Sequence, residues 1–375
     1  MESDESSSID DDFLIYENSS LIPSNPGTAL DNFLLAHKQL LSKSEKEYLS
    51  LYNTIWYYTK NLDRFECNSE GRYKVNIGDC INCQYEIISS LGGGAFSNVY
   101  KVFDYKHDQE FALKIIRNEP RFIQQAQKEM ELLTNIDHPN CTRVASIFCF
   151  NNSFGFTFPI YKYNLYEELK ANNMQGLEEL VVKRYGKELL QGLDYLKKRR
   201  IVHADLKPEN IMVDLHGSLK IIDFGSSWKE KEIKKIHTYI QSRYYRAPEI
   251  PLGLGVTCAI DIWSFACIIY ELLTGKPLFR CKSEKQLVVG IIGVIDMPPD
   301  YLINKGTRYM NFFRFSKSRQ KWVLYEKLYE PTFIPGSKKL SLKNKDLEKV
   351  FNYCLQWDAI DRCYPSDLLS NKYFN

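Results

Sequence analysis

Two short runs carry residue types that could do chemistry: His203-Ala204-Asp205-Leu206-Lys207-Pro208-Glu209-Asn210 and Ile221-Ile222-Asp223-Phe224-Gly225. Together they bring one carboxylate, one ammonium, one amide and a second carboxylate around a single tight loop. That set is what phosphoryl transfer needs. Asp205 would receive the proton of an acceptor hydroxyl. Lys207 would offset charge on the transferred group. Asn210 and Asp223 would hold Mg²⁺ against nucleotide phosphates.

Such residues need a frame. Tyr85–Leu91 and Asn98–Phe103 read as strands on either side of the turn Leu91-Gly92-Gly93-Gly94-Ala95-Phe96-Ser97-Asn98-Val99. Glycines there let backbone approach phosphates, because no Cβ intervenes. Glu110–Ile116 alternates, with Phe111, Leu113 and Ile115 on one face and Ala112, Lys114 and Ile116 on the other. From Arg121 to Asn135 the apolar spacing is helical, through Phe122, Ala126, Met130 and Leu133. Lys114 among apolar neighbours and Glu129 on the inward stripe of that helix are each costly alone. Paired, they solve both problems and leave the lysine aimed at the α/β-phosphates. After about Glu167 helices dominate, interrupted by the loop at His203 and the hairpin Ile211–Ile222.

The order His-x-Asp-Leu-Lys-x-x-Asn, Asp-Phe-Gly, Ala247-Pro248-Glu249 resembles the eukaryotic protein kinases. The fold so implied is α+β and bilobal: a small β-rich N-lobe (85–161) and a larger helical C-lobe (162–375). ATP and Mg²⁺ are the implied cofactors. Phe111-Ala112-Leu113-Lys114 resembles the third-strand lysine motif. Only Gly92 and Gly94 match the family's glycine-rich loop, whose third glycine is Ser97 here. Phe158 aligns with the gatekeeper, so adenine should meet the carbonyl of Pro159 and the N–H of Tyr161.

Four further stretches resemble the dual-specificity tyrosine-phosphorylation-regulated kinases: Lys114–Phe122 with Gln125-Ala126, Asn164-Leu165-Tyr166-Glu167, Asp223–Ser227, and Tyr239–Glu249. The likeness covers roughly Leu40 to Asn375 and is weak around Asp296–Lys345, where a shortened insert would lie. It implies phosphorylation of serine and threonine on protein substrates, with a preference for following proline, after one autophosphorylation on Tyr239. Arg243 and Arg246 would receive that phosphate, which carries about −1.5 to −2 charges. His237 stands where the family's first paired tyrosine would be. Ala204 stands where most kinases carry arginine and close relatives cysteine. It cannot clamp a phosphate. Glu249 should pair with Arg362, and Asp261 should tie the catalytic-loop backbone. Two alternatives stay open here: a pseudokinase scaffold, and a small-molecule kinase of similar fold. The first usually lacks one of the catalytic residues; the second generally lacks Ala-Pro-Glu and Ser242.

Composition bounds the rest. The chain has 375 residues, 44% hydrophobic and 26% charged, with net charge +2. Nothing there calls for nucleic acid or a membrane surface. The apolar runs Leu287–Ile295 and Ile262–Leu273 are too short or too interrupted to span a bilayer. Residues 1–27 are acidic, then Ser/Asn/Pro-containing, and read as a disordered tail, unlike a secretory signal. Residues 28–84 read as accessory helices and a homology box, with Leu34, Leu35, Leu40, Leu41, Leu49 and Leu51 as a packing stripe. Cys80-Ile81-Asn82-Cys83 is one pair and cannot complete a zinc site. All ten cysteines are expected as thiols of an intracellular monomer, in cytoplasm or nucleus. Lys197-Lys198-Arg199-Arg200 reads as a solvated helix end in preference to a nuclear address.

Overall fold

The computed structural model describes residues 14–59, 66–232, 240–330, 332–340 and 342–375. The chain divides into two compact units, Met1–Asp137 with Thr142–Ile160, and His138–Cys141 with Tyr161–Asn375. The division thus falls between Ile160 and Tyr161.

The first unit contains strands β1 (Leu14–Glu17), β2 (Thr28–Ala29), β3 (Thr54–Ile55), β4 (Cys80–Ile81), β5 (Tyr85–Gly93), β6 (Ser97–Asp104), β7 (Gln109–Ile116), β8 (Ser146–Phe150) and β9 (Ser153–Pro159). One antiparallel sheet runs β1-β8-β9-β7-β6-β5-β4. Period-two alternation puts Tyr85, Ile87, Val102, Leu113 and Phe148 into one core. Helix α3 (Pro120–Leu133) starts with proline, whose missing N–H would be unpaired there in any case. Phe122, Ala126 and Leu133 are buried as the stripe predicts, but Met130 is only half-buried and Leu132 takes the inner position.

The leucine stripe of the accessory region does not form. Leu41 and Leu49 are buried, whereas Leu35, Leu40 and Leu51 are exposed by 77%, 65% and 48%. Helix α1 (Leu30–His37) stops and α2 (Lys43–Leu49) restarts at a Ser42/Glu45 capping box. The break resets the helical phase, so a stripe counted across it is lost. Tyr52, Ile55, Cys80 and Cys83 complete this small core instead. All ten cysteines are free thiols.

The second unit holds β10 (Tyr163–Asn164), α4 (Leu165–Ala171), α5 (Glu179–Lys198), β11 (Ile201–Val202), β12 (Ile211–Val213), β13 (Leu219–Ile221), β14 (Trp228–Lys229), α6 (Glu249–Leu252), α7 (Ala259–Thr274) and α8 (Glu284–Ile295). Helix α7 is apolar on every side and accordingly buried along most of its length. The weakly matched stretch forms α9 (Asp300–Lys305) and the hairpin β15 (Phe313–Ser316) with β16 (Lys321–Leu324). Helices α10 (Lys345–Cys354) and α11 (Pro365–Leu369) close the unit. Among the described residues no helix is long and apolar enough to cross a membrane.

Candidate active site

The nucleotide half is built on β5, β6 and β7. β5 extends beyond Leu91 to Gly93, and Gly93 pairs with Asn98 across the turn. The three glycines differ. A Cβ on Gly92 or Gly94 would meet nothing within 4 Å, which leaves open approach for phosphate oxygens. A Cβ on Gly93 would lie 2.8 Å from the Asn98 Oδ1. Gly93, the middle glycine outside the family pattern, is therefore the one whose side chain would crowd a neighbour, whereas Gly92 needs glycine for its backbone, at φ +137°. Ser97 is the first residue of β6, paired with Ile116, and its carbonyl accepts the N–H of Gly94 at 2.9 Å. Ala95 and Phe96 form the tip, Phe96 edge-on to Phe122 at 5.3 Å. Val99 lies opposite Lys114 in the ladder.

Lys114 and Glu129 meet. The Nζ donates to Glu129 Oε1 at 2.8 Å and Oε2 at 3.0 Å. Their side chains are 12% and 3% exposed, so the carboxylate is desolvated and needs this partner. The register sets Phe156 opposite Lys114 and Phe158 opposite Ala112. The Phe158 ring is therefore one pleat from the lysine, parallel to Phe156 at 6.5 Å between centroids. Pro159 ends β9, where lacking an N–H costs nothing, and Tyr161 begins the second unit.

In the second unit Asp205 is gripped from three sides. Its Oδ1 accepts the Ser242 N–H at 3.0 Å and the Ser242 hydroxyl at 2.8 Å. Its Oδ2 accepts from Lys207 Nζ at 2.6 Å. The Asn210 amide donates to the Asp205 carbonyl at 2.9 Å, which turns its own oxygen away from that bond. The loop is tied from behind. Asp261 accepts the N–H groups of His203 at 2.7 Å and Ala204 at 3.0 Å. Burial pushes the Asp261 carboxyl up to about 6 against the opposing pull of His203 and those two bonds. His203 Nε2 donates to the Ile222 carbonyl at 2.9 Å, and Nδ1 accepts the Asp205 N–H at 3.3 Å, which sets the tautomer. The Ser227 hydroxyl donates to the His203 carbonyl at 3.1 Å.

Ala204 and Asp223 both adopt left-handed backbone, with φ of 64° and 60°. Non-glycine residues held there cost about 1–3 kcal/mol each and cluster at functional sites. Asp223 leads directly into the turn Phe224–Ser226. Among the described residues no three of His, Cys, Asp and Glu group to hold an ion. Asn210 and Asp223 suit an oxygen-ligated Mg²⁺ that keeps waters and phosphate oxygens as its remaining ligands.

The activation segment is described up to Glu232 and again from Ile240. Tyr239 and His237 lie outside the described residues. Arg246 is fully buried and already engaged: Nη1 lies 3.2 Å from Glu284, and Nη2 donates to the Gln241 carbonyl at 2.8 Å. It has acid and carbonyl partners without any phosphate. The buried Nε of Arg243 has no hydrogen-bond partner among the described residues. Glu249 and Arg362 form the expected buried pair, both bonds 2.7 Å.

Residue patterns alone did not single out Gln241, Ser227 or Arg72. Gln241 bridges the Ala247 N–H and the Ser264 hydroxyl at 2.8 and 2.9 Å. Arg72 reaches the glycine-rich loop, with Nη1 to Asn98 Oδ1 and Nη2 to the Gly94 carbonyl, both 2.7 Å. Their partners are distant in sequence, and only the fold brings them together.

A lysine–glutamate pair under a glycine-rich turn, and a tied carboxylate loop before Asp-Phe-Gly, define the protein kinase class. The family model described as the protein kinase domain matches residues 85–374. The chain is 36% identical over 371 residues to "Dual specificity tyrosine-phosphorylation-regulated kinase 4" of Homo sapiens, covering 93% of this chain and 70% of that one. It is 38% identical over 312 residues to "Probable serine/threonine-protein kinase dyrk2" of Dictyostelium discoideum, covering 79% and 33%. It is 32% identical over 395 residues to "Dual specificity tyrosine-phosphorylation-regulated kinase 3" of Rattus norvegicus, covering 95% and 66%. The chain belongs to the dual-specificity tyrosine-phosphorylation-regulated kinase family. It spans between 33% and 70% of the length of these three relatives.

Proposed function

We propose that this protein transfers the γ-phosphoryl group of ATP, with Mg²⁺, to serine and threonine hydroxyls of protein substrates, and once to its own Tyr239. The observation that carries the reading is Asp205, held on both oxygens at the end of a doubly tied loop. Bound Mg²⁺ would supply neutralisation of phosphate charge at Asn210 and Asp223. The residues of the chain do the rest. Lys114, oriented by Glu129, binds the α/β-phosphates. Asp205 accepts the proton of the acceptor hydroxyl, and Lys207 beside it offsets charge on the moving group. Phe158 bounds the adenine pocket, and the Pro159 carbonyl and Tyr161 N–H read its edge. Arg243 and Arg246 receive the phosphate on Tyr239, and Arg246 with the segment around it favours proline after the acceptor residue.

Intact mass and peptide mapping of protein made in bacteria test this directly. Wild type should carry phosphate on Tyr239, and Asp205→Asn should carry none. An unmodified Tyr239 in a fully active preparation overturns the switch and leaves the phosphotransfer reading standing. Loss of neither phosphate nor peptide phosphorylation in Asp205→Asn overturns both.

A further inference from the structure

We infer that Arg72, which lies in the segment before the kinase domain, is a positioning residue for the nucleotide: it holds the glycine-rich loop in order through the Gly94 carbonyl and the Asn98 side chain. The inference rests on the nucleotide-binding reading above. Packing does little to fix this loop. Leu91 and Phe96 are 51% and 41% exposed, and Gly92 and Gly94 have open space where a side chain would be. Beyond the ladder pairs Gly92–Val99 and Gly93–Asn98, its backbone closes through Gly94 N–H to Ser97 and Arg117 N–H to Phe96, at 2.9 and 3.0 Å. Phe96 rests on Phe122, and the Arg117 guanidinium donates to the Ala95 carbonyl at 2.7 Å. Arg72, beside Glu70 whose carbonyl accepts from Arg117, adds two more bonds, both 2.7 Å.

Arg72 is itself projected from a fixed turn. Asn68 Oδ1 accepts the N–H groups of Glu70 and Arg72, both at 3.0 Å. Gly71 has φ +71°, and a Cβ there would sit 2.7 Å from the Asn118 carbonyl. The Asn118 N–H in turn donates to the Gly71 carbonyl at 2.8 Å. The turn is thereby locked under the end of β7. A planar guanidinium spans both acceptors at once, which an ammonium at the end of a flexible stem does not. Asn98 Oδ1 reaches the fork because Gly93 has no side chain in the way.

Ordering loop residues costs conformational entropy. A loop already held in one arrangement loses less when a nucleotide binds, and apparent affinity scales with the fraction of time it is held. Two measurements test this on the full chain. The first is hydrogen–deuterium exchange of residues 92–98 without nucleotide. The second is the Kd for a fluorescent N-methylanthraniloyl-ADP, with Mg²⁺.

Arg72→Ala and Arg72→Gln should speed exchange in the loop and leave β7–β9 unchanged. They should raise Kd about three- to tenfold, as a loop held about a tenth to a third of the time would. Arg72→Lys should fall between. Asn98→Ala should add little to Arg72→Ala, because both remove the same bond. Unchanged loop exchange and Kd in both Arg72→Ala and Arg72→Gln, or fully additive effects with Asn98→Ala, would overturn the inference. A shifted Kd in a protein that transfers no phosphate would uphold it while the kinase reading fails.

Discussion

The catalytic loop and the glycine-rich loop serve the same proposed chemistry but are held in opposite ways. The catalytic loop is over-determined: Asp261, Ser227 and Gln241 fix its backbone from buried positions, and the half-buried Ile222 holds the Asn210 carbonyl and the His203 ring. The glycine-rich loop is exposed and held from outside, by two arginines and one aromatic edge. The difference follows from the tasks. Asp205 must meet a hydroxyl within hydrogen-bond reach, where a displacement of an ångström is costly. A loop over phosphates must let nucleotide in and out, so it is drawn from the low-stability end of the fold.

The largest expected effect lies in the rigid region. Asp205→Asn keeps shape and removes the proton acceptor, so peptide phosphorylation should fall by about 10² to 10⁴ with the melting temperature retained. Turnover close to wild type would remove Asp205 from the chemistry. Next is the frame beneath it. Arg362→Ala strands the buried Glu249 carboxylate and should cost about 3–5 kcal/mol in denaturant unfolding. A loss below about 1 kcal/mol, the range of an exposed pair, would mean that this region is less tightly built than its bonds suggest.

A smaller, selective effect belongs to the nucleotide half. Phe158→Gly should admit adenine analogues with bulky substituents that wild type excludes, seen as inhibition by such an analogue of the variant alone. Equal sensitivity would show that Phe158, one pleat from Lys114, does not border the base.

The subtlest effect sharpens the contrast through pH. The Asp261 carboxyl is raised from 3.8 to about 6, first by burial. Its folded form holds a proton more tightly than the unfolded chain. Its contribution to stability is therefore full below the ordinary value and is lost as pH rises through about 6. Function runs the other way, because a protonated Asp261 gives up part of its grip on His203 and Ala204. Melting temperature followed from pH 4 to pH 8, a range spanning roughly both pKa values, should show this slope in wild type and not in Asp261→Asn. Equal slopes would place the titration elsewhere.

The legible part of the site was the part written locally. Asp205, Lys207, Asn210 and Asp223 sit in two short runs, so type and spacing announce them. Lys114 and Glu129 were readable one step further, since strand and helix periodicity each turn a charge inward and burial demands a partner. In the accessory region the expected helices form as α1 and α2, but a leucine stripe means packing only within one unbroken helix, so Leu35, Leu40 and Leu51 stay exposed. That Glu284 reaches Arg246 was not legible, since a cation in sequence carries no sign of which acid it will meet.

By itself the sequence determined which groups could do chemistry, which segments alternate with period two or 3.6, and to which family the chain belongs. Those are properties of neighbours along the chain, and side-chain periodicity and motif spacing are local. The tertiary structure alone decided that Arg72 reaches Gly94, that a Cβ on Gly93 would crowd Asn98, and that Gln241 locks the activation segment to α7. Each depends on atoms brought within bonding distance across many residues. Short-range hydrogen bonds and van der Waals contact act only once the fold has closed that gap.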